Sequence, residues 1–236
     1  MNRHTQFLPV PIAVVLFIMT SALVWSAEKA PTKTKVETKK SEMATSKEPA
    51  SFAKGYQAYR AGKLDEAIAA FEQAAKEDPN HAMSLQFLAR ACYDKKRFAD
   101  AVKTAKQVAK LDPNNARNWR TLGLAQMATN DLKAAAESFA QSAKIEPKNF
   151  WTQNDLGYAL LQLDRNDEAR KALERAVEVD ASKAMTWNTL GVVRLRLTDR
   201  AGAIEAFKKA LQLDPNHAKA KANLAAAEAA KTTKGK

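Results

Sequence analysis

Pro79, Pro113 and Pro147 stand 34 residues apart, and a step of twice that length leads to Pro215. The place skipped between them holds Ala181. A fixed period of this size restricts a chain to architectures in which one small unit is copied and each copy buries its apolar face against the next. Other landmarks keep the same step. One column reads Gly55, Ala89, Gly123, Gly157, Gly191, and another reads Ala67, Ala101, Ala135, Ala169, Ala203. A third reads Phe71, Ala105, Phe139, Leu173, Phe207, and a fourth Lys54, Leu88, Leu122, Leu156, Leu190. Alanine is common in this chain, so the alanine column alone is weak. Agreement of all four in one register is strong.

Each column has a physical cause. Glycine inside a helix costs about 1 kcal/mol relative to alanine. Its recurrence implies a compensating gain, and close approach of a second helix supplies one. The alanine column then lies on that second helix, with Phe71 and its equivalents filling the space beside it. Gly62, Lys96, Asn130, Asp164 and Thr198 fall between the two helices. Gly and Asn suit the left-handed conformation that ends many helices, whereas Lys, Asp and Thr suit it less. Asp-Pro-Asn occurs at 78–80, 112–114 and 214–216. The proline cannot continue the preceding helix. The asparagine after it is expected to cap the next one, with Ser182 doing so after Ala181.

Glycine and proline number only 7 and 8 in 236 residues, and no stretch alternates apolar and polar residues with period two. The fold class is therefore all-α. The columns Trp119, Leu122, Gly123 and Ala135, Phe139, Pro147 resemble the tetratricopeptide repeat (TPR) family. That resemblance implies a right-handed α-solenoid of five helix pairs, over 48–81, 82–115, 116–149, 150–183 and 184–217, followed by a polar capping helix at 218–230 and a frayed tail at 231–236. Repeat one starts with Ser51 and Lys54 where bulky residues would pack, as suits a terminal unit. Repeat two carries Ala89 and Ala105 in place of glycine and an aromatic, so a slight shift of its packing is expected.

The N-terminus carries an address. Arg3 precedes an uncharged apolar run from Ile12 to Trp25, and small residues follow at Ser26 and Ala27. This pattern is that of an export signal over residues 1–27. The rival reading is an uncleaved anchor in the inner membrane, shortened by Pro9 and Pro11. Either reading puts the rest of the chain outside the cytoplasm, periplasmic or secreted. Residues 28–50 are Lys, Thr, Ser, Glu and Ala with few large apolar groups, which reads as a solvated linker.

The formal charge is +12, spread along the chain without one basic patch. Such a surplus serves solubility first; binding of an anionic polymer, lipid or nucleic acid is the alternative reading. Nucleic acid is not expected as a partner. Cys92 is the one cysteine and cannot form an internal disulfide. His81 and His217 hold the same place four periods apart, too far to share a metal, and read as surface turn residues. No nucleophile–base pair, phosphate loop or ligand cluster is visible, so no enzyme activity, metal or cofactor is expected.

In the TPR family the first helices line the concave face, which makes their inward residues the candidate partner site. These are Phe52 and Tyr56; Met83 and Arg90; Arg117, Arg120 and Leu124; Trp151, Asn154 and Tyr158; and Met185 and Asn188. Aromatics and arginine are enriched in binding hot spots, and methionine adapts to varied surfaces. Arg117, Arg120 and Trp151 are expected to be exposed. The family's clamp for C-terminal carboxylates is absent, because only Arg117 fits among Phe52, Tyr56, Phe87, Arg117 and Thr121. The expected partner is another envelope protein, bound through an extended peptide or a helix. The open ends of a solenoid leave self-association open.

Overall fold

The computed structural model describes residues 48–229, all of whose regular structure is helical. The export signal, nearly all of the linker and the C-terminal tail lie outside the described residues. Five helix pairs follow one another: α1 (Ala50–Arg60) with α2 (Leu64–Glu77), α3 (Ala82–Asp94) with α4 (Phe98–Leu111), α5 (Ala116–Ala128) with α6 (Leu132–Ile145), α7 (Phe150–Gln162) with α8 (Asn166–Val179), and α9 (Ala184–Arg196) with α10 (Arg200–Leu213). A final helix, α11 (Ala218–Ala229), begins 34 residues after α9 and so repeats the register of a first helix.

The glycine column is explained by contact. A Cβ built on Gly55, Gly123 or Gly191 would lie 2.7, 2.6 or 2.4 Å from the ring of Phe71, Phe139 or Phe207. On Gly157 it would meet Leu173 at 2.6 Å. The second-helix side chain therefore rests on bare backbone of the first, and all four of these side chains are fully buried. Burial of each phenyl ring stabilises the pair by about 2 kcal/mol. Repeat two reaches the same end differently, since Ala105 supplies no ring and Ala89 can keep its methyl; both are buried.

Within each pair the first helix ends at a left-handed residue. Gly62 has φ 74°, and Lys96, Asn130, Asp164 and Thr198 have φ between 57° and 63°. The amide after each of them reaches back five residues, as in Lys63 to Ala58 and Asp199 to Arg194. The left-handed residue itself bonds three back, as in Thr198 to Leu195. This two-bond closure satisfies the last carbonyls of the helix. It forms with lysine, aspartate and threonine as well as with glycine.

The Asp-Pro-Asn stop is built otherwise than expected. Asn80 and Asn216 do not cap the next helix; their backbone amides donate to Oδ1 of Asp78 and Asp214 at 2.9 and 3.0 Å. Ser182 likewise gives its amide and hydroxyl to Asp180. The aspartate thus holds the turn closed, and the helix starts one residue later, where Lys183 gives no side-chain cap but the other four turns supply one. Asn115 and Asn149 accept from Arg117 and Thr152. His81 and His217 are the equivalents, each accepting a backbone amide on Nδ1 at 3.2 Å, from Ser84 and Ala220. Their place in the turn therefore has a use, which requires an unprotonated Nδ1.

Neighbouring first helices touch one another along the array, whereas neighbouring second helices meet at most glancingly. Closer spacing on one side than on the other bends the stack, so α1, α3, α5, α7, α9 and α11 lie on the inner side.

Candidate functional site

The inner side is composed of three rows at the 34-residue step, and the structure gives them different work. The row Gln86, Arg120, Asn154, Asn188 is occupied in joining repeats. The Gln86 amide donates to Asn118 at 3.0 Å, and Arg120 Nε donates to Asp155 at 2.9 Å. Asn154 accepts the Thr186 hydroxyl and Asn188 accepts the Asn223 amide, both at 2.9 Å. Asn154 and Asn188 are accordingly buried, contrary to their expected place in the groove. A buried amide that is already bonded has little left to offer a partner.

The second row is Tyr56, Arg90, Leu124 and Tyr158. Tyr56 is 37 % exposed and meets the edge of Phe87 with ring centroids 5.2 Å apart. Arg90 stands 5.5 Å over the ring of Tyr59, whose hydroxyl donates to Asp94. Burial, reinforced by Asp94, raises the Tyr59 hydroxyl far above its ordinary range. Burial also raises Asp94, against the hydrogen bond from Tyr59 and the charge of Arg90. Tyr158 is half-buried. Leu124 is buried and belongs to the core, not to the lining. Phe52 also departs from expectation. It is buried against Phe71 and Phe87, because the first turn of α1 must cover the end of the core.

The third row is Met83, Arg117, Trp151 and Met185, and it faces outward from the inner side. Met83 is 50 % exposed, Arg117 is exposed, and Trp151 and Met185 are half-buried. Of the three residues expected to be exposed, only Arg117 is. Arg120 places its guanidinium 5.9 Å from the Trp151 ring centre while bonded to Asp155, so each covers the other. Burial raises the Asp155 carboxyl above its ordinary 3.8, and the Arg120 charge draws it part of the way back.

Among the described residues no group of three or more His, Cys, Asp or Glu side chains could hold a metal. None of the described helices is long and apolar enough to cross a membrane. Cys92 is buried, and burial lifts its thiol to about 11, which keeps it a weak nucleophile. The chemistry available on the inner side is adhesion: polarisable sulfur, aromatic faces and guanidinium.

Sequence models of the tetratricopeptide repeat match residues 58–126, 116–149, 154–218 and 188–231. The chain belongs to the tetratricopeptide repeat family. No curated protein sequence matches it. Solved TPR structures share the fold. YrrB, described as a TPR protein with an unusual peptide-binding site, is 18 % identical over 72 % of this chain and 88 % of its own, with a TM-score of 0.67. MamA from Desulfovibrio magneticus RS-1 is 20 % identical over 74 % of this chain and 99 % of its own, also at 0.67. TTC0263 of Thermus thermophilus, a thermophilic TPR protein, is 21 % identical over 75 % of this chain and 96 % of its own, at 0.53. The TPR array of this protein is thus an all-α solenoid of a kind suited to holding other proteins.

Two features of the site were not read from sequence. One is the conversion of the 86/120/154/188 row into joints; the signal was a run of amide and charged residues at buried spacing. The other is Phe87, which sits edge-on between Tyr56 and Tyr59 and ties the first two repeats together.

Proposed function

We infer that this TPR protein is a non-catalytic scaffold that holds a peptide segment or helix of another envelope protein along its inner face. The observation that carries the reading is the row Met83, Arg117, Trp151, Met185. It recurs from repeat two to repeat five, with Met83 and Arg117 exposed and Trp151 and Met185 half-buried, and is not the row that joins the repeats. A peptide laid across the first helices meets two adaptable thioethers, an indole and a guanidinium in succession. Tyr56 and Tyr158 add aromatic surface beside it, and the exposed Arg117 can meet a carboxylate of the bound segment. The likeness to YrrB supports a peptide as the ligand form. The export signal of the sequence argues for a partner in the periplasm or outside the cell, with the inner membrane as the site of attachment if the segment stays uncleaved.

A photo-crosslinking residue placed at 83, 117 and 185 should capture one and the same protein from intact cell envelopes, while one at 171, on α8, should not. Met83→Ser combined with Arg117→Ala should lower that capture severalfold and leave the unfolding midpoint unchanged, since neither residue belongs to a joint. Equal capture from both sides of the array, or capture untouched by the double substitution, would remove the inner face from the account.

A further inference from the structure

On the outer side, between α2 and α4, lies a hollow of about 300 Å³. Its floor is Leu85, Leu88 and Cys92 of α3, its wall is Thr104, and Lys76 and Lys103 stand at its rim. The three floor residues are apolar and nearly wholly covered. The hollow lies beside a column that differs between repeats. At the place of Leu85, repeat three has Trp119, repeat five has Trp187, and repeat four has the wholly buried Gln153, whose amide donates to the Pro147 carbonyl at 2.9 Å. Trp119 packs onto Ala105 and Ala109 of the preceding second helix, and its indole N–H donates to the Pro113 carbonyl at 2.8 Å. Trp187 makes the same bond to Ala181 at 2.8 Å. Leu85 is shorter and has no donor. The equivalent carbonyl, on Pro79, is reached instead from across the hollow by Gln107 Nε2 at 3.2 Å. Repeat two therefore keeps the tryptophan berth and lacks its tryptophan.

We propose that this hollow is a second docking site, and that it takes a tryptophan side chain from an acidic segment of a partner protein. The shape argues for the indole, because the same scaffold seats that group in two of its other units. The size argues for one side chain and no more, since about 300 Å³ is the lower end of what ligand sites enclose. The rim argues for the acidic flank. Lys76 and Lys103 are exposed and have no ion-pair partner among the described residues, whereas Glu72 and Asp100 are both engaged by Arg97, at 3.6 and 2.7 Å. The amide of Gln107 is exposed and can yield the Pro79 carbonyl to an incoming indole N–H. The site faces away from Met83, Arg117 and Trp151, so a chain held on the inner side leaves it open.

The test uses the full chain and a short acetylated peptide with one tryptophan between aspartates, followed by methyl and amide NMR. Saturable shifts are expected at Leu85, Leu88 and Thr104, with a dissociation constant in the range of about 0.1–1 mM, as befits one anchoring side chain. Leu85→Trp, which fills the berth from within, should raise the unfolding midpoint and weaken the peptide by about tenfold or more. Lys76→Glu with Lys103→Glu, a surface pair with no part in the core, should weaken it severalfold, and added salt should do the same to the parent chain. A peptide with alanine for tryptophan should not bind. The proposal is overturned if Leu85→Trp folds and binds as well as the parent, or if the shifts gather at Tyr56 and Trp151 instead. It is equally overturned if no saturable shift occurs, or if the lysine pair leaves the affinity unchanged. Should Leu85→Trp fail to fold, the lysine pair and the alanine peptide decide the matter alone.

Discussion

Repeat two and repeat three have helices of identical length in the same register and share Leu88/Leu122, Ala91/Ala125 and Ala101/Ala135 in the core, yet differ at the places around them. Repeat three stacks Phe139 on Gly123 and fills the outer groove with Trp119. Repeat two has Ala105 against Ala89 and leaves that groove hollow above Leu85. Repeat three is joined to its successor by the charged pair Arg120–Asp155, whereas repeat two is joined to repeat three by the neutral pair Gln86–Asn118. The difference teaches that the period fixes the backbone, while the residues within neighbouring columns compensate one another. A lost ring permits a gained methyl, and a lost indole leaves room for a glutamine to cross.

Substitutions can break this comparison at each point. The largest effect is expected from Phe139→Ala, at about 3–5 kcal/mol, because the ring is fully buried and the glycine beneath it cannot fill the gap. Adding Gly123→Ala to it should restore part of the loss by recreating the repeat-two pair, a coupling readable in a double-mutant cycle of urea midpoints. Strict additivity would mean that the two columns do not compensate. Next, Asp155→Ala should cost about 3 kcal/mol, since it removes the carboxylate that the mostly buried guanidinium of Arg120 bonds across the joint. By contrast Asp65→Ala, which breaks an exposed pair with Lys95, should lie within experimental error. Gly123→Ala alone should cost about 2 kcal/mol by driving a methyl into the Phe139 ring. Asn115→Ala should cost about 1 kcal/mol through loss of its cap to Arg117.

The two joints also differ in their response to acid. Asp155 is raised above 3.8, so the folded state binds this proton more tightly than the unfolded chain does. Its contribution favours the fold most below 3.8 and diminishes as pH rises through the folded value. Asp180 is opposite: hydrogen bonds from Ser182 lower it, so its contribution is present above 3.8 and is lost as pH falls through the lowered value. Carboxyl carbon NMR should find Asp155 titrating above 3.8 and Asp180 below it. The opposite order would mean that the Arg120 charge outweighs burial at the joint. The Gln86–Asn118 joint has no carboxyl and should show no such titration.

The helices and their register were legible because each depends on a single residue type at a single place, and the left-handed turns followed from the register although their residue type varies. The proline stop marked 79, 113, 147 and 215, and the glycine column foretold the contact with the second helix. What was not legible depends on pairs. Nothing in Asn154 alone says whether it faces a partner or the Thr186 hydroxyl; that is settled by the tilt of one helix on the next. Arg120 and Trp151 each look like binding residues, and their mutual cover follows only from their being neighbours across a joint. The capping residue was misplaced by one for a similar reason. The Asp78 carboxylate closes the turn by accepting the Asn80 backbone amide, so the helix starts after His81, which caps it.

The left-handed helix ends have one more consequence. Lys96, Asp164 and Thr198 hold a conformation that disfavours any side chain by about 1–2 kcal/mol. Thr198, branched at Cβ, is the most ill at ease of them. Glycine at Lys96 and Thr198 would relax the backbone without touching the inner rows or the outer hollow, whereas at Asp164 it would also remove the ion pair with Arg196 of the next repeat. The array therefore has thermal headroom in its bends, separate from whatever surface it offers to others, so the solenoid can be toughened and its recognition retuned as two independent operations.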